Sequence, residues 1–211
     1  MRKHLLLIML AVMSCSCLFA QEEDWGLDRS FRIAIGPKVG AGLAFGTDSK
    51  NYNLNLGSGL AFQGGLAFNA HLGRRHAASE GGTGLLGFEV EALYGTRKIA
   101  VENESMKMGC LEFPVLIQIY PIPTLAIEAG ATMVKGLKTK PENIDVNNMV
   151  LGVGEMKSND VMLSFGASFN ARFGLSIGLR YNMGMSNLAG NFDSKANSLM
   201  FSLAYLLKIV K

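Results

Sequence analysis

The stretch "VMLSFGASFNARFGLSIGLRYNMGMS", residues 161–186, alternates with almost no interruption. Val161, Leu163, Phe165, Ala167, Phe169, Ala171 and Phe173 are apolar, and Met162, Ser164, Gly166, Ser168, Asn170 and Arg172 stand between them. After Gly174 the rule resumes, with Leu175, Ile177, Leu179 and Tyr181 set against Ser176, Gly178, Arg180 and Asn182. A period of two places successive side chains on opposite faces of a strand, so this is a hairpin with one apolar and one polar face. In a soluble sandwich the apolar face packs inward. In a membrane barrel it meets lipid, and the polar face lines the lumen.

The same period recurs from about residue 31 to the end. "FRIAIGPKVGAGLAF", "GLAFQGGLAFNAHL", "LLGFEVEALYG", "MKMGCLEFPVLIQIY", "LAIEAGATMV" and "SLMFSLAYLLKI" supply the other strands. Leu85, Leu93, Met200 and Leu206 break the polar rows. About eight strands of roughly 10 to 15 residues result, longer than soluble sheets need and long enough to cross a bilayer at a tilt. The fold class expected is therefore all-β, an eight-stranded antiparallel up-and-down transmembrane β-barrel.

The connections fit this reading. "GTDSKNYNLNLG", "TRKIAVENES", "KGLKTKPENIDVNNMVLGVGEMKSND" and "SNLAGNFDSKAN" are long and polar, whereas "YPIPT" and "FGLS" are tight. Outer-membrane barrels have short periplasmic turns and longer external loops. "GRRHAASEGGTG" is long for a turn on the short side. Phe31, Tyr120 and Phe173 fall at strand ends, where aromatic rings suit a membrane interface.

The two faces differ in charge. The polar face carries Arg32, Lys38, Glu89, Glu91, Glu112, Glu128, Arg172 and Arg180, with both signs in comparable number. The interior of an eight-stranded barrel is just wide enough to be filled by side chains, so these residues are expected to neutralise one another as a lumenal charge network. No charge interrupts the apolar rows, as lipid contact requires.

Composition and the N-terminus bound the rest. The chain has 211 residues, 49% hydrophobic and 18% charged, with 25 Gly and 5 Pro: one domain, too apolar for disorder and too rich in glycine to be mainly helical. The segment "MRKHLLLIMLAVMSCSCLFAQEED" has a basic start, a short apolar core and small residues before an acidic stretch, the pattern of a secretory signal peptide. Residues 1–20 are expected to be removed after Ala20, with 21–30 a short periplasmic segment and 31–211 the barrel. A lipoprotein leader acylated at Cys15 or Cys17 is the alternative reading of the same segment. Without Arg2 and Lys3 the chain holds 18 basic and 17 acidic residues, a net charge of +1 that argues against nucleic acid as a partner. Cys110 alone remains in the mature chain and has no internal disulfide partner.

The quoted "GPKVGAGLAF", "CLEFPVLIQIYP" followed by "LAIEAGA", and "LSIGLRYNMGMSNL", with a leader ending "LFAQ", together resemble the PorT-like outer-membrane β-barrel family of Bacteroidetes. The resemblance implies an outer-membrane barrel, and most such proteins have no assigned biochemical activity. The namesake is needed for protein secretion and gliding, a role that membership does not transfer. Such barrels commonly end on an aromatic residue that helps the insertion machinery; this chain departs from that and ends on Lys211.

Catalytic chemistry is weakly signalled. His71, His76, Ser79 and Glu80 stand close together, but on a segment that reads as a strand end and a turn, a poor support for a nucleophile and its base. Glu89 and Glu91 lack a partner spacing for metal, and no phosphate-loop order is present. The expectation is an integral barrel without an enzyme's site, cofactor or metal. Its partners would be outer-membrane lipid, the barrel-assembly machinery and other envelope proteins through loops 135–160 and 186–197. A periplasmic or lipid-anchored barrel holding an apolar ligand is the alternative, and a lipid-modifying enzyme a third reading.

Overall fold

The computed structural model describes residues 29–46, 56–74, 86–101, 104–122, 124–140, 143–146, 149–152, 159–171, 173–186 and 195–210. Eleven strands run in chain order: β1 (Arg29–Gly46), β2 (Leu56–Arg74), β3 (Leu86–Val101), β4 (Glu104–Ile122), β5 (Leu125–Lys140), β6 (Asn143–Val146), β7 (Met149–Gly152), β8 (Asn159–Asn170), β9 (Leu175–Gly184), β10 (Ala196–Tyr205) and β11 (Leu207–Val210). All pairings are antiparallel between neighbours, and β10 also pairs with β1, which closes the sheet. Ile35 opposite Leu207 keeps the register that Lys38 sets with Ala204, so β10 and β11 are two halves of one closing strand. The result is the expected eight-stranded up-and-down barrel, with β6 and β7 forming a separate hairpin between β5 and β8.

Register determines the barrel's dimensions. Ile35 pairs with Phe68, and the line continues through Val90, Val115, Ala131, Leu163, Met183 and Asn197. It returns to β1 at Phe45, ten residues beyond its start. A stagger of that size around eight strands tilts them by roughly 40° and sets opposite backbones about 16 Å apart. The shortest strand of the barrel wall, β9, has 10 residues, still enough to cross a hydrocarbon core at that tilt.

The apolar rows face outward on every strand of the barrel. Val39, Leu66, Tyr94, Ile117, Ile127, Phe165, Leu179 and Phe201, one from each strand, are all exposed, Ile117 at 59% and Leu179 at 53%. The alternate positions are buried, including Glu91 at 1% and Gln118 at 0%. This inversion disfavours the soluble alternative, in which an apolar ligand would meet apolar rows inside. The breaks in the polar rows also point inward: Leu93 and Met200 are buried in the lumen, where they fill space left by glycine and serine neighbours.

Three expectations change. Tyr120 is buried in the lumen instead of standing at the membrane interface. The segment "TRKIAVENES" is mostly strand: β3 continues to Val101, and β4 begins at Glu104, directly opposite. Beyond the hydrocarbon zone the outward face need not be apolar, so Lys98 lies outside and Ile99 inside, and the alternation is hidden by its reversed polarity. β1 begins at Arg29, inside the segment expected to precede the barrel. The leader and most of the barrel's longer connections fall outside the described residues, as does the side chain of Phe31; Phe173 is exposed at the β8–β9 turn.

That turn shows why the strands meet tightly at one end. Gly174 has φ 103°, a left-handed conformation that glycine adopts at no steric cost. Its N–H donates to the Ala171 carbonyl, and its own carbonyl accepts from the Leu206 N–H at 2.7 Å, which ties the turn to the closing strand. In β5, Gly130 serves close approach: a methyl group there would strike the Val115 carbonyl oxygen of β4. Two outcomes are expected in phosphatidylcholine vesicles, read as folded and unfolded gel mobility across urea. Leu179→Arg, which sets a charge against the acyl chains, should lower stability by about 2–4 kcal/mol. Gly130→Val should give no folded band.

Candidate functional site

The inward rows bring seven charged residues together in two groups, none more than 7% exposed. The larger contains Lys38 from β1, Glu89 and Glu91 from β3, Glu128 from β5 and Arg180 from β9. In the order of the closed sheet, β9 stands directly across the lumen from β3. Arg180 therefore spans the barrel: Nη1 donates to Glu91 Oε2 at 3.0 Å, Nη2 to Glu91 Oε1 at 2.7 Å, and Nε to Glu128 Oε1 at 2.8 Å. The guanidinium holds Glu91 in a two-point fork, the strongest of the carboxylate pairings. Lys38 Nζ joins the same carboxylates, 2.9 Å from Glu89 Oε1 and 2.7 Å from Glu91 Oε1.

Three carboxylates face two cations here, and neutral donors supply the remaining stabilisation. Gln118 Nε2 donates to Glu89 Oε2 at 2.8 Å and to Glu128 Oε2 at 3.3 Å. Asn69 Nδ2 donates to Glu89 Oε2 at 3.2 Å. The Gln118 amide is oriented in turn, because its Oε1 accepts from Asn69 Nδ2 and from the Tyr120 hydroxyl, both at 2.7 Å. Tyr120 packs against His71, with ring centroids 4.2 Å apart and the rings tilted by 44°. Burial of charge is stable only when each ion is paired and its remaining hydrogen-bonding capacity is met, which these amides accomplish.

The second group lies further along β3 and β4. Arg97 Nη2 is 2.7 Å from Glu112 Oε1, and the Cys110 thiol lies 3.2 Å from the same oxygen. Met162 Sδ packs 3.2 Å from Arg97 Nη1. A third, uncharged line crosses four neighbouring strands: Thr132 and Ser164 hydroxyls at 2.6 Å, Ser164 to Asn182 Oδ1 at 2.8 Å, and Asn182 Nδ2 to Ser198 at 3.1 Å. The lumen is thus bridged in layers from side to side.

Of the eight residues assigned to the lumen from sequence, Lys38, Glu89, Glu91, Glu128 and Arg180 meet in one cluster. Glu112 lies apart from them and pairs with Arg97, a residue the alternation did not offer because its segment reads as a loop. Arg32 is placed by its backbone opposite His71, its side chain outside the described residues, as is all of Arg172. The hidden signal for Arg97 is the continued period of two through Ile99. His71 lies against Tyr120 in the lumen, while His76, Ser79 and Glu80 are outside the described residues. Among the described residues no group of His, Cys, Asp and Glu could hold a metal ion.

Removing one partner from such a cluster strands the others in a low dielectric. Arg180→Met is expected to cost about 3–5 kcal/mol, because Glu91 and Glu128 keep their burial and lose their fork. Replacing both members of the smaller pair, Arg97→Met with Glu112→Leu, should cost far less than Arg97→Met alone. Urea unfolding followed by gel mobility checks both. A double variant as unstable as the single one would show that the pair contributes more than mutual neutralisation.

The family model described as "Outer membrane protein beta-barrel domain" matches residues 19–190. Among solved structures, Neisserial surface protein A is 15% identical with a TM-score of 0.47, covering 84% of this chain and 97% of its own. The attachment invasion locus protein of Yersinia pestis, solved with the heparin analogue sucrose octasulfate, is 13% identical with a TM-score of 0.43, covering 83% and 99%. A de novo designed transmembrane β-barrel is 13% identical with a TM-score of 0.35, covering 82% and 95%. Among curated proteins there is no match. On the family model, which spans most of its length, the chain belongs to the outer membrane protein β-barrel domain family.

Proposed function

We propose that this outer-membrane barrel is a sealed scaffold that displays its longer connections on the cell surface, where they meet other envelope or external proteins. The observation that carries this reading is the cross-braced lumen. Arg180 reaches from β9 to Glu91 on the far wall, and side chains from five strands meet around it, leaving the barrel interior as packing. A barrel whose interior is occupied in this way acts through its rim and loops.

The connection between β5 and β8 is the main candidate for contact. It carries its own hairpin, β6 paired with β7, between the ends of two barrel strands. The segment 186–197, largely outside the described residues, joins β9 and β10 at the same end. On this reading the short turns face the periplasm, the leader is cleaved after Ala20, and the barrel-assembly machinery inserts the chain. The PorT-like subgroup of Bacteroidetes is the finer assignment, resting on "CLEFPVLIQIYP" and "LAIEAGA". The chain is a structural, adhesive or secretion-associated protein and not an enzyme.

Two measurements test this. An epitope inserted between residues 153 and 158 should bind antibody on intact cells, and the purified barrel should give no steady conductance in a planar phospholipid bilayer. Antibody binding only after permeabilisation, or open-channel currents from the wild-type protein, would refute the respective half of the proposal.

A further inference from the structure

At the end of the barrel that carries the β5–β8 connection, Lys98 of β3 stands directly opposite Lys107 of β4, and Lys107 directly opposite Lys140 of β5. Like charges in register on adjacent strands repel, and sheets ordinarily avoid them. Lys98 and Lys107 are exposed on the outward face, as is Lys135 of β5. Among the described residues, no ion pair involves Lys98, Lys107 or Lys135.

The depth of the row identifies its surroundings. Tyr94 is on the same outward face of β3, 54% exposed, where the apolar row ends in an aromatic ring. Lys98 lies four residues further on, about 13 Å along the strand and roughly 10 Å along the barrel axis at a 40° tilt. That distance carries the row from the edge of the hydrocarbon into the headgroup layer. Its outward direction leaves lipid headgroups as the neighbours within reach of a lysine.

We propose that the paired Lys98 and Lys107 form a binding row for the phosphate groups of anionic lipids in the leaflet surrounding that end of the barrel. The shared register becomes favourable once anions lie between the strands' ammonium groups. The barrel thereby acquires a lipid contact on one side, along β3 and β4. Assigning this leaflet to the outer surface rests on the proposed orientation of the loops. Binding itself does not.

Native mass spectrometry of the folded barrel in detergent, offered equal amounts of phosphatidylglycerol and phosphatidylcholine, reads the preference directly. Wild type should retain phosphatidylglycerol over phosphatidylcholine by at least about fivefold, the effect of one lysine near an anionic surface. The double variant Lys98→Gln, Lys107→Gln should lose the preference, and the corresponding double Arg variant should keep it. Lys208→Gln, which removes one charge at the opposite end of the barrel, should leave it unchanged; heat-dependent gel mobility verifies folding of each. Equal retention of the two lipids by wild type, or a preference that survives the double Gln change, would overturn the proposal. So would complete displacement of phosphatidylglycerol by inositol hexakisphosphate, which would assign the row to a soluble polyanion. No cell is used, so failure of the surface-display reading would leave these results intact.

Discussion

Closure of the sheet is the constraint on which everything else depends. In hydrocarbon no water completes an open strand edge, so β1 must pair with the last strand as well as with β2. The register that achieves this returns ten residues out of step, and that stagger sets both the tilt and the bore. A bore of this size has room for side chains and little else. The lumen is a packed core whose polarity is inverted relative to a soluble protein.

Inversion makes the ion pairs architectural. Arg180 is long enough to span from β9 to β3 and carries donors enough to engage two carboxylates from different strands. Glycine and serine between the charged positions, such as Gly130, Ser164 and Gly178, keep the backbone close and leave volume for the larger groups. Gln118 has a different function: it donates to both Glu89 and Glu128, offsetting the shortage of cations in that cluster.

Much of this was legible in the sequence because lipid enforces a strict rule. From Val161 to Asn182 every outward position is apolar or small, and the period alone assigns the two faces. Strand number, strand order and the inward orientation of Lys38, Glu89, Glu91, Glu128 and Arg180 follow from that period. Where the rule relaxes, legibility fails. Past Tyr94 the outward face leaves the acyl chains, Lys98 and Ile99 exchange the polarity expected of them, and a strand resembles a loop. Arg97 was missed for that reason, and with it the true partner of Glu112. Tyr120 was misplaced for another: an aromatic residue at a strand end suits either face, and only its parity with Gln118 and Leu116 puts it inside.

A charged lumen also accounts for the uniqueness of the register. If both faces were apolar, a strand displaced by one residue would exchange its faces at little cost, since lipid and lumen would accept either. With Glu89, Glu91 and Arg97 alternating along β3, the same slip moves three charges toward the acyl chains, leaves Lys38 and Glu112 without ion-pair partners and leaves Arg180 with Glu128 alone. For Arg97 and its like on other strands, each such charge costs about 2–4 kcal/mol at the midplane and less near the interfaces. The penalty is larger than a buried ion pair contributes to stability by itself. The network's main physical effect is therefore to make alternative pairings expensive, and the same residues that fill the lumen define which face is the outside.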